Sequence, residues 1–427
     1  MVGVKNKTSH SRVTSKTKVL IALSGGVDSS VAAALLVASG KYDVTGAFMI
    51  NYDETPATPP EPPLGKRGTI SPSAREGEHR GSGSDCWLSD YRDAVRVAAK
   101  LGIPVLKLDF KKEYSEKVLA YMYAEYEKGR TPNPDVMCNS FIKFGSWLDK
   151  AKELGFDFLA TGHYARLGRE IPISNFQFPI KLMEAKDANK DQTYFLHQLN
   201  QKQLAYSMFP VGSYTKPEVR KLAEKFNLPT ADKEESMGIC FIGEVPMKEF
   251  LQKRIPPKPG DILFNGAIIG THEGLSFYTI GERIGVARPL PALSSAEARV
   301  DSFSPPQRRE REERSHVDTR PYFIVAKNQK TNELIVGFED DPLLYKKECE
   351  VENVNWISGQ TPKFPLKCEV RLRHRQPLQK CTVSNSPLGR GRGGLVVKFA
   401  TPQRAVTPGQ FAVFYKKGEC LGGGAIK

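Results

Sequence analysis

Between an apolar run, VLIAL (19–23), and an alanine-rich stretch lies SGGVDSS, residues 24–30. Glycines at 25 and 26 let the backbone turn tightly and approach a ligand with no Cβ in the way. The amides there, with the N-terminus of a following helix, offer positive potential to an anion. Asp28 would repel a bare phosphate, so its natural task is to hold or polarise a magnesium ion. A plain strand-to-helix turn is the alternative, and the Ser, Asp and Ser in register argue against it. No Walker-type GxxxxGK followed by Ser or Thr occurs. A second constellation is RTPNPDVMCNSFIKF (130–144). Pro132 and Pro134 stiffen the approach, and Pro134 or Asp135 opens a helix. Asp135 and Cys138, three apart, share one face of it. A thiolate in a first helical turn is stabilised by the helix dipole, and Asp135 is spaced for general acid/base work. A buried structural cysteine behind a capping aspartate is the rival reading. Cys240, in SMGICFIGE (236–244), lies between two glycines, and on local sequence alone it reads as a packed cysteine rather than a reactive one.

These segments need a scaffold, and from Lys18 onward buried strands alternate with amphipathic helices. Strands are expected at 19–23, 44–50, 104–110 and 156–162, with helices at 29–39 and 91–102 and near 114–128 and 136–154. That order argues for an α/β domain, a parallel sheet with helices on both faces, whose ligands sit at the carboxyl ends of the strands. Residues 53–85 break the pattern: eleven of these 33 are Pro or Gly, so a disordered insertion is expected. Residues 291–318 have the same character. The segments YFIVAKN, ELIVGFE, KCEVRLRHR, GLVVKFA and QFAVFYK then alternate like the strands of a small β-barrel. The expected division is a tail at 1–17, a catalytic domain at 18–242, a small β-rich middle domain at 243–290, a linker at 291–318 and the barrel at 319–427.

The chain has 427 residues, with 62 Lys and Arg against 48 Asp and Glu, a formal charge of +14. Such an excess favours a polyanionic partner. Residues 366–405 hold nine Lys or Arg and a single Glu. Alternation puts Arg371, Arg373 and Arg375 on one strand face, a surface suited to tracking phosphates. GRGRGG (389–394) reads as a basic loop at its edge. Apolar runs fall well short of the roughly 20 residues a membrane helix needs. The seven cysteines show no zinc-ligand spacing, and no disulfide framework is expected. Residues 1–18 carry five Lys or Arg and no acid, loosely like a transit peptide, or equally a solvated tail.

SGGxDS resembles the loop of the ATP pyrophosphatases (PP-loop, adenine nucleotide alpha hydrolase-like). The ordered set SGGVDSSVAA, AFMINY, GRTPNPDVMCN, LATGHYARL, KDQTYFL, MGICFIGE, YTIGERIGV and TPGQFAVFY resembles the tRNA-specific 2-thiouridylases, bacterial and mitochondrial, from about residue 18 to 426. The resemblance implies ATP, accompanied by magnesium, and a tRNA bound through its anticodon region. The C2 oxygen of the wobble uridine is adenylated and replaced by sulfur. It implies Cys138 as nucleophile, Cys240 as persulfide carrier and Asp135 as acid/base. Sulfur comes from a cysteine desulfurase or persulfide carrier, and a Cys138–Cys240 disulfide left behind must be reduced. By the same resemblance Ala22, Leu23, Ser24, Gly25, Gly26, Val27, Asp28, Ser29, Met49 and Gly162 line the ATP pocket. Asn133, Pro134 and Asp135 face the target base, and His163, Lys190, Asp191, Gln192, Arg373, His374 and Gln410 touch tRNA. A mitochondrial monomer with no membrane attachment is expected. The rivals are another adenylating ATP pyrophosphatase, such as an amide-forming synthetase, and a non-catalytic RNA-binding protein.

Overall fold

A computed structural model describes residues 16–52, 86–168, 179–234, 246–286, 320–386 and 394–427. The tail through residue 15, both expected insertions, most of the GRGRGG run and the segment holding Cys240 lie outside those residues.

The strand–helix order expected from the sequence is the order found. β1 (Thr17–Ala22) feeds the glycine loop and helix α1 (Val27–Ala38). β2 (Tyr42–Ile50), helix α2 (Cys86–Leu101), β3 (Val105–Asp109) and β4 (Phe158–Ala160) follow. A hairpin of β5 (Arg166–Gly168) and β6 (Lys181–Met183) leaves the sheet before β7 (Ser207–Met208) returns to it. The sheet runs β3-β2-β1-β4-β7, all parallel. Strand alternation sorts its core: Val19, Ile21, Phe48 and Ile50 pack on the α1 face, and Leu20, Ala47 and Met49 on the other. Chain order reverses between β1 and β4, so a crevice opens at their carboxyl ends.

The helix that carries Cys138 starts at Pro134 and continues to Glu153, but its middle, Cys138–Trp147, is wound as a π-helix. Such winding is concentrated at functional sites. Gln203 braces it, its Nε2 donating to the carbonyls of Ser140 (3.2 Å) and Phe144 (2.8 Å).

The middle sheet corrects one expectation. It holds β8 (Gly260–Phe264), β9 (Ala267–His272), β10 (Arg283–Ile284), β11 (Tyr322–Asn328) and β12 (Glu333–Gly337), in the order β10-β11-β12-β8-β9. YFIVAKN and ELIVGFE therefore belong here, not in the barrel. β12 lies parallel to β8, and Ile324, Leu334 and Val336 close one core with Ile262 and Leu275. Alternation identifies a strand but not its partner.

The barrel closes with six strands: β13 (Tyr345–Trp356), β14 (Leu366–Arg371), β15 (Gln379–Asn385), β16 (Leu395–Arg404), β17 (Phe411–Lys416) and β18 (Glu419–Ile426). Their order is β13-β16-β15-β14-β17-β18, and β13 also pairs with β18, which removes the open edges. The β5–β6 hairpin adds to β18. Ile357, Phe411, Val413 and Tyr415 pack in one apolar cluster with Met137, Cys138 and Tyr194, so barrel and α/β domain share a core.

A second correction concerns the arginines. β14 ends at Arg371, and Arg375 takes a positive φ of 63°, which breaks the alternation. Arg371 is buried, its guanidinium donating to Asp191 Oδ2 (2.7 Å) and Glu184 Oε1 (2.8 Å), while Arg373 and Arg375 are exposed. The three share no face. Burying a guanidinium is tolerable only with such partners.

His197 lies at the same interface, fully buried against Phe411, its Nδ1–H donating to the carbonyl of Tyr194 (2.7 Å). Burial lowers its pKa from 6.5 to about 4. Below pH 6.5 the unfolded chain thus binds more protons than the folded one, and stability falls as pH drops toward 4, by up to about 1.4 kcal/mol per pH unit. His197→Gln is expected to flatten that acid limb in urea titrations between pH 7 and 4.5; equal slopes for the two proteins would refute the assignment. Among the described residues no helix is long and apolar enough to cross a membrane.

Candidate active site at the sheet switch point

The glycine loop follows β1 at the reversal point. Gly25 holds a φ of 74°, and a Cβ there would lie 2.4 Å from the carbonyl oxygen of Asp90, so only glycine fits. Gly26 caps α1 with no side-chain hydrogen bond, which leaves the first amides of the helix open to an anion. Ser29 Oγ accepts from the Ser24 amide (3.2 Å) and donates to the Gly26 carbonyl (3.0 Å), fixing the loop. Gly162, just past β4, abuts α1: a Cβ would sit 2.7 Å from the Ser29 amide nitrogen. Leu23 and Val27 face the core, so only their main chain can line a ligand.

Met49 is also a core side chain, and its contribution is again main chain. The Leu23 amide donates to Ala47 O (2.8 Å), where β1 leaves the sheet. In a parallel strand the N–H and C=O of residues two apart point the same way. Met49, two beyond Ala47, therefore directs its N–H and C=O into the opening above the loop.

Asp28 is held differently from the magnesium-ligand expectation. Its Oδ1 accepts from Lys216 Nζ (2.7 Å) and from the Tyr164 hydroxyl (2.8 Å). Among the described residues no cluster of three or more His, Cys, Asp or Glu could hold a metal ion. Lys216 neutralises Asp28 in this conformation, and a magnesium ion held between Asp28 and nucleotide phosphates would share that carboxylate with it. Lys216 and Tyr164 were missed from the sequence. The capping box Thr215–Glu218 marks a helix start, but nothing local aims Lys216 at a loop 188 residues away.

Cys138 lies on the Met49 face of the sheet, 1% exposed, one turn into its helix rather than in the first turn. Asn133 caps that helix, accepting from the Val136 amide (3.4 Å), and Pro134 takes the first position. Asp135 is half-buried on the same helix. Asn51, one residue past β2, brings its Nδ2 to 3.9 Å from Cys138 Sγ. Asn51 was a further omission; a buried amide at the carboxyl end of a strand is the signal that could have found it. Asn51 Oδ1 and Asn139 Oδ1 are buried with no partner among the described residues, a cost of about 1–3 kcal/mol each. Cys240 lies outside the described residues.

The segment before Cys138 is gripped by all three parts of the fold. The Thr131 amide donates to Pro408 O (2.9 Å), and Gln410 Nε2 donates to the carbonyls of Thr131 (3.0 Å) and Pro132 (3.3 Å), all from the barrel. Arg130 bridges Glu125 and Glu352, each at 3.3 Å. From the middle sheet Lys327 Nζ donates to Gly129 O (3.1 Å), Gln329 donates to Lys128 O, and Thr279 meets Thr131 at 3.2 Å. Burial lowers the Lys327 ammonium to a pKa of about 8. Gln410 is thus a positioning residue in this conformation, not a free tRNA ligand. Gln410→Ala is expected to lower turnover about ten- to a hundredfold with KM for tRNA changed less than about threefold. A rise in KM alone would instead make it a binding residue.

The remaining tRNA-contact expectations divide. His163 is buried between Phe144 and Phe209, bonded through Nδ1 to Thr161 Oγ1 (2.8 Å), and burial with nearby Lys143 holds it well below the usual imidazole range. An interior neutral ring cannot reach a phosphate. Asp191 is consumed by Arg371, Thr193 and the Ala185 amide, and Gln192 Oε1 accepts from the Tyr164 amide. His374 donates through Nε2 to the Asp191 carbonyl (3.1 Å) and packs on Phe195. Lys190 is half-buried and Arg373 exposed, so of this group Arg373 is the most exposed.

A glycine loop at the switch point of a parallel sheet, with the bound segment braced by a barrel, defines an α/β enzyme of the ATP-pyrophosphatase type. The family described as "tRNA methyl transferase HUP domain" matches residues 17–62 and 68–244. "tRNA methyl transferase PRC-barrel domain" matches 248–291, and "Aminomethyltransferase beta-barrel domain" matches 346–426. Over 424 residues, 99% of this chain and 96% of the relative, it is 41% identical to tRNA-specific 2-thiouridylase MnmA 2 of Geobacillus kaustophilus (strain HTA426). Over 413 residues, 96% and 95%, it is 41% identical to tRNA-specific 2-thiouridylase MnmA of Halalkalibacterium halodurans. The chain belongs to the tRNA-specific 2-thiouridylase family. The domain descriptions speak of methyl transfer, but identity along the full length decides for the thiouridylases.

Proposed function

We propose that this protein is an ATP-dependent tRNA uridine 2-sulfurtransferase acting on the wobble uridine. What carries the reading is 41% identity along 99% of the chain, together with Cys138 set at the end of the strand that borders the nucleotide loop. The α1 amides and the Met49 main chain would take the nucleotide, and Lys216 would supply positive charge beside its phosphates. A magnesium ion would be held by Asp28 together with the nucleotide phosphates and would supply countercharge there, and no step is routed through it. A uracil C2 oxygen leaves poorly; adenylation, with loss of pyrophosphate, turns it into AMP, a workable leaving group. A persulfide on Cys240 then supplies sulfur to C2. Cys138 attacks the bridging sulfur, a Cys138–Cys240 disulfide forms, and an external dithiol restores both thiols. Asp135, on the helix face of Cys138, would move the proton. Extruding the base costs a few kcal/mol, which backbone contacts of the barrel would offset.

Unmodified tRNA, ATP and a persulfide donor given to the purified protein should yield pyrophosphate and tRNA retarded on a mercury gel. Pyrophosphate with no retardation would favour a different adenylating enzyme; neither product would favour a non-catalytic RNA-binding protein. We further propose a monomer supplied with sulfur by a cysteine desulfurase, and a mitochondrial location resting on the long insertions that depart from the compact bacterial pattern and on the resemblance to the mitochondrial enzymes. A reporter fused to residues 1–17 that stays outside mitochondria would remove the last of these.

A further inference from the structure

A thiolate enclosed in apolar surroundings needs a hydrogen-bond donor. Cys138 has such surroundings: it is 1% exposed and packs in one cluster with Met49, Val136, Met137 and Tyr194. The helix that carries it does not supply the donor. The Cys138 amide is already bonded to the Pro134 and Asp135 carbonyls, and Asp135, three residues earlier, adds a carboxylate to the same helix face. Asn139 does not supply it either, because its Nδ2 donates to the Phe195 carbonyl (3.4 Å). Asn51 is placed to do so. Alternation along β2 turns Ala47 and Met49 to the Cys138 side of the sheet, and Asn51, two residues beyond Met49, follows them. It is 2% exposed, with Nδ2 3.9 Å from Cys138 Sγ.

We propose that Asn51 is a positioning residue that holds the Cys138 sulfur as its thiolate. The step it serves, attack of Cys138 on the Cys240 persulfide, rests on the sulfurtransferase reading; the contact itself does not. At 3.9 Å the amide is a weak donor to a neutral thiol, and a charged acceptor draws it closer. Asn51 Oδ1 has no partner among the described residues, so no second bond there locks the amide. It can turn to accept from the thiol before it donates to the thiolate. One side chain thus follows the sulfur through both of its charge states. It does so at the end of the strand whose main chain, at Met49, faces the opening above the glycine loop.

The test labels the full chain with methyl methanethiosulfonate, a small reagent that reacts with thiolates, then quenches in acid and maps the labelled cysteines by mass. Cys349, whose thiol burial pushes up to about 12, is the internal reference. Asn51→Asp keeps the shape and loses the donor, whereas Asn51→Leu keeps the bulk and loses all polarity. In both, the rate at Cys138 relative to Cys349 is expected to fall about ten- to a hundredfold, the range of a hydrogen bond to a charged group. Single-turnover thiolation should fall by a similar factor, with pyrophosphate release and KM for tRNA within about twofold of wild type. A side chain that only fills space would leave the ratio unmoved. A ratio at or above the wild-type value in either variant would overturn the proposal. Should the wild-type chain leave tRNA unthiolated while the labelling order holds, the sulfurtransferase reading would fall and the Asn51 assignment would stand.

Discussion

Cys138→Ser is expected to abolish tRNA thiolation, with turnover at least about a thousandfold down, while ATP-dependent pyrophosphate release persists. The division follows from where each group sits. In the proposed reading the nucleotide would be met by the amides after Gly26 and by the main chain of Met49, and neither depends on sulfur. Cys138 stands behind them, 3.9 Å from Asn51. A serine hydroxyl fits the same space and offers Asn51 a better acceptor, so folding and tRNA affinity should hold. Only the capacity to take a sulfur from a persulfide disappears. Cys240→Ser should give the same phenotype by removing the carrier. Single-turnover assays with a mercury-gel readout measure both. Wild-type turnover in either variant would dismantle the relay, and loss of pyrophosphate release in Cys138→Ser would mean that the thiol also serves adenylation.

The second large effect is on stability. Arg371→Ala is expected to lower the unfolding free energy by about 3–5 kcal/mol, seen as a fall in the urea midpoint at unchanged slope. Asp191 would be left with a 1% exposed carboxylate still bonded to Thr193 but with no countercharge, and Glu184 would lose the same partner. Such a loss is a large part of the roughly 5–15 kcal/mol that holds a typical domain folded. Arg371→Met with Asp191→Asn removes charge from both sides and should recover half of the deficit or more. A double variant no better than the single one would show that the packing of Arg371 over Tyr415, and not the ion pair, carries the energy.

What the sequence shows well is what is local. The glycine loop is legible because tight turning, an uncapped helix start and anion affinity all follow from SGG beside an apolar strand. The start of the Cys138 helix is legible from Asn133 and Pro134, but its π winding is not, since it depends on Gln203 reaching the carbonyls of Ser140 and Phe144. Arg371 looked like the first of three exposed cations because alternation describes a strand only while the strand lasts. Its end, and the acid waiting 180 residues earlier, are tertiary facts. The same holds for Tyr322–Asn328 and Glu333–Gly337, strands by pattern whose neighbour was chosen by a shared core. Asn51 and Lys216 escaped notice for a related reason: each is ordinary in its own segment and matters only for what another segment places opposite it.

The grip on residues 128–132 has a consequence for how such an enzyme can vary. Because barrel and middle sheet both hold the stretch leading to Cys138, neither is an interchangeable RNA-reading attachment. An α/β domain cut free of them would keep its glycine loop and lose the contacts that hold the approach to Cys138. Insertions are tolerable away from this junction. At it, even one side chain added to Gly409, whose Cβ would meet the Thr131 amide at 2.9 Å, has to be absorbed by the stretch leading to Cys138.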